Sequence, residues 1–233
     1  LKDVHKLSPG HYMEIDIPSK SNTIIKYWDL KTVKTKKITY SQAKKELHDL
    51  LTDAVKIRLQ SDVPIGSFLS GGVDSALVSS IAGKISAKPI NTFSIGFDNP
   101  KFDESKVADE FAKYIKSHHK TTFCSAHDSL KLLPKLVEVY DEPFADSSAL
   151  PSLLLNSVTK PHVTVALSGD GGDESFLGYD HFDWVMKYKW IFKLPLFIRK
   201  LISQPLFLKL LGKGSEAATN VLSTENIDTY ISQ

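Results

Sequence analysis

Ser70-Gly71-Gly72-Val73-Asp74-Ser75 follows directly on the apolar run Val63 to Leu69. Val63, Ile65, Phe68 and Leu69 supply strand-like apolar residues, and the two glycines let the backbone turn where a Cβ would clash. Asp74 and Ser75 then open a helical run, Ala76 to Ile85, whose apolar residues recur at helical spacing. The stretch predicts a strand, a tight turn and a helix start. The first N–H groups of such a helix lack partners and, behind glycines and hydroxyls, form a ready anion site. Asp74 is the unexpected residue at that mouth, since its carboxylate repels a bare phosphate. A Mg2+ ion between them resolves the conflict, because hard cations take oxygen ligands and often bridge to substrate phosphates. The same six residues also fit a plain serine-capped connection with no ligand.

Two better-known phosphate loops are excluded. The sequence has no Gly-x-x-x-x-Gly-Lys-Ser/Thr, and no Gly-x-Gly-x-x-Gly after a strand. Ser-Gly-Gly-x-Asp-Ser instead resembles the pyrophosphate loop (PP-loop) of the enzymes that split ATP into AMP and pyrophosphate. That resemblance implies a superfamily and leaves the substrate open.

With 233 residues the chain can hold one large domain, or one domain with appendages. A 42% hydrophobic and 24% charged composition allows a substantial core. The net charge of +2 argues against a dedicated nucleic-acid binder. Cys124 is the only cysteine, so no internal disulfide forms, and a single thiol suits a reducing, cytoplasmic setting. It is read as structural. No apolar run is long enough to cross a bilayer and no signal-peptide pattern opens the chain, so no membrane association is expected.

Residues 1–40 do not read as the start of a domain. Ser8-Pro9-Gly10 is a turn signal, Tyr12 to Ile17 alternates like a strand, and Ile24 to Trp28 gives another short run. Two or three edge strands cannot bury a core alone, so this is expected to be a β remnant packed against something else. From Ser41 to Ser61 the period turns helical, with Ala43, Leu47, Leu50, Leu51, Ala54, Val55 and Leu59 on one stripe. Beyond the opening loop, strands are expected at Pro89 to Phe97, His119 to Cys124 and His162 to Leu167. Helices are expected from Asp103, over Leu130 to Tyr140, and over Ser147 to Val158. The first of these should bury Val107, Ala108, Phe111, Ala112 and Ile115. Strands alternating with helices imply an α/β fold, a parallel sheet flanked by helices on both faces. Ligands in such sheets collect at the carboxyl ends of the strands, where the topology reverses.

A second loop, Ser168-Gly169-Asp170-Gly171-Gly172-Asp173-Glu174, also follows a strand and is expected to face the same cleft. Three acids in seven residues repel one another at close range, and a cation relieves that repulsion. Asp173 is therefore expected to join Asp74 in holding Mg2+ against a triphosphate, although a solvated acidic turn fits the same residues. Between the loops, Asp146 with Ser147 and Ser148 can cap the helix that follows.

Together, Leu69 to Ser75, Thr92 to Phe97, Asp141 to Ser148 and Leu167 to Tyr179 resemble the synthetase domain of glutamine-dependent asparagine synthetases. The likeness covers roughly residues 60–185, and residues 1–30 look like the tail of that family's glutaminase domain. It implies an adenine nucleotide alpha hydrolase-like fold. The implied division is a remnant of the Ntn-hydrolase-like glutaminase domain over 1–40, and a synthetase domain truncated at its C-terminus over 41–233. By resemblance, Leu69, Ser70, Gly71, Gly72 and Ser75 cradle ATP. Ile95 and Gly96 contact adenine through the backbone, and Ser168 and Gly169 face the nucleotide. Asp74 and Asp173 match the metal-binding carboxylates, and Asp170 is linked to forming the acyl-adenylate. The implied cofactors are ATP and Mg2+. The implied reaction adenylates the side-chain carboxylate of aspartate, and ammonia then displaces AMP to give asparagine.

Departures from the family pattern bear on activity. The family's glutaminase needs an N-terminal cysteine, whereas this sequence starts with Leu1, so ammonia is expected from elsewhere: free, or from a glutaminase domain absent here. The family's adenylation lysine lies farther along than residue 233, which makes the chain look like a fragment. A homodimer is compatible with the pattern. Tyr179 to Gly212, rich in aromatics and cations, is read as helical packing surface broken by Pro195 and Pro205. Other readings keep the adenylation but change the acceptor, as in β-lactam synthetases or amidotransferases, or keep ATP binding without turnover.

Overall fold

The computed structural model describes residues 4–140, 146–179, 182–183, 186–187 and 189–203. Contacts divide the chain into two units, Leu1–Leu50 and Leu51–Gln233. In the first, β1 (His11–Asp16) and β2 (Ser21–Lys26) form an antiparallel hairpin with His11 opposite Lys26 and Asp16 opposite Ser21. Its turn is held by Ser19 N–H donating to Asp16 Oδ1 at 3.1 Å. Ile15, Ile17 and Ile24 stay exposed on this hairpin.

Helix α1 (Tyr40–Arg58) matches the expected helical stretch, but its stripe is narrower than expected. Val55 is buried and Leu51 and Leu59 pack with it, whereas Leu50 is 68% exposed. Leu50 lies about 140° around the helix from Val55, off the covered face.

The second unit is built on a parallel sheet of β3 (Ile65–Phe68), β4 (Asn91–Phe97), β5 (His118–Cys124) and β6 (Val165–Leu167), in the order β5-β4-β3-β6. Helices α2 (Val73–Ile85) and α3 (Ser105–Ile115) carry the chain from β3 to β4 to β5 and pack on one another. Helices α4 (Ala126–Val139) and α5 (Ala149–Thr159) return it to β6, on the other side of β3. Because parallel crossovers are right-handed, that reversal puts the two helix pairs on opposite faces of the sheet. The expected α/β architecture stands. β3 and β6 are shorter than expected because they pair with each other only from Ile65 to Ser67 and Val165 to Leu167.

One core cluster joins Val55, Ile81, Ile90 and Leu167, each worth about 1.5–3 kcal/mol when fully buried. The other, Leu69, Ala76, Ala108 and Ala112 with Phe111, fills the α2–α3 seam, where alanines allow close approach. Val107, expected on that face, is 43% exposed. Gly66 in β3 has no room for a Cβ, which would sit 2.9 Å from Phe93 Cε2 and 3.0 Å from the Asn91 carbonyl oxygen. Gly66→Ala should therefore lower stability by about 1–3 kcal/mol, read from denaturant melts.

A polar seam runs beside the apolar one. His119 Nδ1 is 2.8 Å from Thr92 Oγ1, and its Nε2 meets Ser94 Oγ at 3.2 Å, Thr121 Oγ1 at 3.1 Å and Asp109 Oδ1 at 3.3 Å. Burial holds His119 below the usual imidazole range, with Asp109 opposing that shift. As pH falls through the ordinary histidine range, the unfolded chain takes up a proton that the folded chain resists. Stability present at neutral pH is thus lost toward acid. Melting temperatures between pH 7.5 and 5.5 should show this fall, and His119→Gln should flatten it.

A short helix α6 (Gly172–Phe176) follows β6, and α7 (Leu196–Ile202) starts after Pro195. Arg199 is buried, its guanidinium 5.1 Å from the Phe192 ring centre and its Nε donating to the Leu194 carbonyl at 3.2 Å. This is the packing use expected of the aromatic and cationic segment, although Trp190 and Phe197 are exposed. Asp141 to Ala145, Trp184, Tyr188, Pro205, Phe207 and the polar stretch 213–233 lie outside the described residues. No described helix is long and apolar enough to cross a membrane.

Candidate functional site

The sheet order reverses between β3 and β6, and both glycine loops leave the carboxyl ends of these two strands. That is the crevice where open α/β sheets hold ligands. A cleft of about 800 Å³ opens there, lined by residues of both loops, β4, α3, α5 and α6.

The first loop is braced by its own hydroxyls. Ser75 Oγ accepts from Ser70 N–H at 3.0 Å and lies 2.7 Å from Ser70 Oγ, which accepts from Gly72 N–H at 3.1 Å. The loop runs into α2 with Gly72 as the cap residue, which has no side chain to cap the helix, while Ser75 Oγ donates to the Gly72 carbonyl at 3.3 Å. Ser75 thus braces the turn and also lines the cleft. Leu69 is buried, so it can offer the cleft only backbone; its N–H donates to the Phe93 carbonyl at 2.8 Å.

The second loop lies directly on the first. A Cβ on Gly169 would stand 2.7 Å from Ser75 N, and one on Gly172 would run into the Asp74 carboxylate. Gly171 takes φ +88° at the start of α6, a conformation that favours glycine. Ser168 Oγ donates to Asp170 Oδ2 at 3.0 Å, orienting that exposed carboxylate. Asp74 and Asp173 are half-buried and line the same cleft. The Asp173 carboxylate is directed at Gly178.

Leu69, Ser70, Gly72, Asp74, Ser75, Ile95, Ser168, Gly169, Asp170 and Asp173 are all brought to this cleft. Gly71 and Gly96 are not among its walls. Gly71 backs onto Glu104 and Val107, and Gly96 onto Phe123 and Asp103. Sequence reasoning missed the aromatic wall of Phe68, Phe97 and Phe102, and also Glu104 and Asn156. It also missed the pair in which Tyr179 Oη donates to Glu174 Oε1 at 2.6 Å. That bond pushes the Tyr179 phenol up to about 12 and holds Glu174 below the usual carboxylate range. Asp146 Oδ1 accepts from Ser148 N–H at 2.7 Å just ahead of α5, but Ser148, the cap residue, makes no side-chain cap bond, so the expected cap is not formed.

The electrostatics are one-sided. Asp74, Glu104, Asp170 and Asp173 line the cleft, and no lysine, arginine or histidine is among its described walls. Among the described residues no group of three or more histidines, cysteines and acids could hold a metal unaided. A divalent ion fits here only by drawing further ligands from phosphate oxygens and water, as Mg2+ commonly does.

A switch-point crevice walled by two interlocked glycine loops and an acidic lining places this chain among the open parallel α/β domains that hold ligands at the carboxyl ends of their strands. The chain belongs to the asparagine synthase family, whose profile matches residues 46–230. It is 38% identical over 202 residues to a Methanocaldococcus jannaschii protein named as a second glutamine-hydrolysing asparagine synthetase, covering 85% of this chain and 38% of that protein. It is 35% identical over 201 residues to glutamine-hydrolysing asparagine synthetase 1 of Bacillus subtilis, covering 85% and 31%. The chain thus spans about a third of the length of these relatives. Among solved structures, NMN synthetase from Francisella tularensis is similar at a TM-score of 0.41 and 19% identity, over 61% of this chain and 59% of that one.

Proposed function

We propose that this chain carries the ATP-binding, amide-forming half-site of an asparagine synthetase. The observation that carries the reading is the contact of Gly169 and Gly172 with Ser75 and Asp74, which sets both loops around one cleft at the switch point. A side-chain carboxylate oxygen of aspartate attacks the α-phosphorus of ATP, the bond to the β-phosphate oxygen breaks, and pyrophosphate leaves. Ammonia then attacks the acyl carbon, the bond to AMP breaks, and the nitrogen sheds a proton. The product is asparagine.

The residues divide this work. The hydroxyls of Ser70 and Ser75 and the mouth of α2 receive the pyrophosphate end of ATP. Ile95 and its neighbours on β4 face the adenine, with the phenylalanines as apolar wall. Asp170 stands on the loop beside the reacting carboxylate. Asp74 and Asp173 would hold Mg2+, and that ion would supply neutralisation of the charge that builds on the leaving group. The nitrogen comes as ammonia released from glutamine by a glutaminase domain, and the setting is cytoplasmic.

Pyrophosphate exchange into ATP across a panel of carboxylic acids tests the reading. Aspartate-dependent exchange is expected. Exchange only with another acid would move the assignment to a different adenylating amidotransferase. Mg-ATP binding without exchange would leave a nucleotide-binding module.

A further inference from the structure

One amide of the first loop is already held by a charged group from another element. Gly71 N–H donates to Glu104 Oε2 at 3.1 Å, across 33 positions of sequence. Ser70 and Gly72 N–H are met instead by the loop's own neutral hydroxyls. Glu104 is the cap residue of α3, yet its side chain does not cap that helix. The task falls to Asp103, whose Oδ1 accepts from Ser105 N–H and Phe97 N–H, both at 3.2 Å. The Glu104 carboxylate is thus released from its own helix and laid on the loop. Its Cβ would be 3.0 Å and its Oε2 3.3 Å from a Cβ placed on Gly71. It is exposed, lines the cleft and has no cationic partner among the described residues.

We infer that Glu104 is a built-in competitor for the pyrophosphate site. Its carboxylate stands on the cleft wall and covers the Gly71 N–H, which is not itself a wall of the cleft; a phosphate oxygen that displaces Glu104 takes that N–H in its place. The inference rests on the nucleotide reading of the cleft and adds a residue to it. The two anions cannot share one amide hydrogen, and at a few ångströms they repel. A pyrophosphate with its Mg2+ has the charge and the number of bonds to win that exchange, whereas a monoanion does not. The swap also works in reverse. When pyrophosphate departs, Glu104 returns to Gly71 and keeps the loop in its turn, which favours product release.

The test uses this chain, calorimetry and three probes: Mg-pyrophosphate, Mg-ATP and adenosine. Glu104→Gln keeps an oxygen for Gly71 N–H but removes the charge. Mg-pyrophosphate should bind this variant about fivefold or more tightly than wild type, in line with one lost repulsion near the phosphates. Adenosine, which carries no charge, should bind both alike. Glu104→Ala should match Glu104→Gln in direction. If Glu104 merely braces the loop, pyrophosphate binding stays the same or weakens in both variants, and the inference falls while the nucleotide reading stands. A wild-type chain that binds neither Mg-ATP nor Mg-pyrophosphate overturns both.

Discussion

Asp74→Asn is expected to weaken Mg2+-dependent ATP binding by about 100-fold, the scale of effect seen when a metal site loses one of its supporting groups. The carboxylate sits in the first turn of α2, half-buried, beside Gly172 of the second loop and with no cation to balance it among the described residues. Asparagine preserves its size and removes its charge. Asp173→Asn should act in the same direction, and the double variant should lose less than the sum, because both residues serve one ion. Metal-free ATP provides the control. Without the ion the acids only repel phosphate, so the same substitutions should leave its weak binding unchanged or improve it. Unchanged Mg-ATP affinity in both single variants would remove the shared-ion proposal.

Gly172→Ala should have the second large effect. Its Cβ would enter the space of the Asp74 carboxylate, with Oδ2 at 2.5 Å, so the two loops must separate or the acid must turn away. Overpacking of this kind destabilises by about 1–3 kcal/mol. Mg-ATP binding should fall below detection in calorimetry. Gly171→Ala is the internal comparison. It has nothing within 4 Å of a new Cβ, so it bears only the penalty of φ +88°, about 1–2 kcal/mol, and should keep its ligand. Equal binding by wild type and Gly172→Ala would mean that the loop contact does not shape the site.

The frame of the second unit was legible in the sequence because its signals are local. Apolar runs and helical periods mark β3, α2, β4, α3 and β5 to within a few residues, and strand–helix alternation implies a parallel sheet. Faces were less legible. Leu50 and Val107 belong to apolar stripes, but whether a stripe is covered all the way round depends on what packs there. The two glycine loops could be placed together from topology alone, since switch points gather strand ends. The third contributor could not. An acid at the start of a helix, as Glu104 is, suits the helix dipole and signals nothing more, and only the folded chain lays it across Gly71. Phe102 likewise carries no periodic signal in its turn, yet it lines the cleft.

A crystal structure of the chain with Mg2+ and a non-hydrolysable ATP analogue tests the central claim most directly. The account predicts one ion bridging the phosphates to carboxylate oxygens of both Asp74 and Asp173, at about 2.1 Å each. It also predicts the pyrophosphate end at the mouth of α2. An analogue bound elsewhere, or an ion touching neither carboxylate, would contradict it.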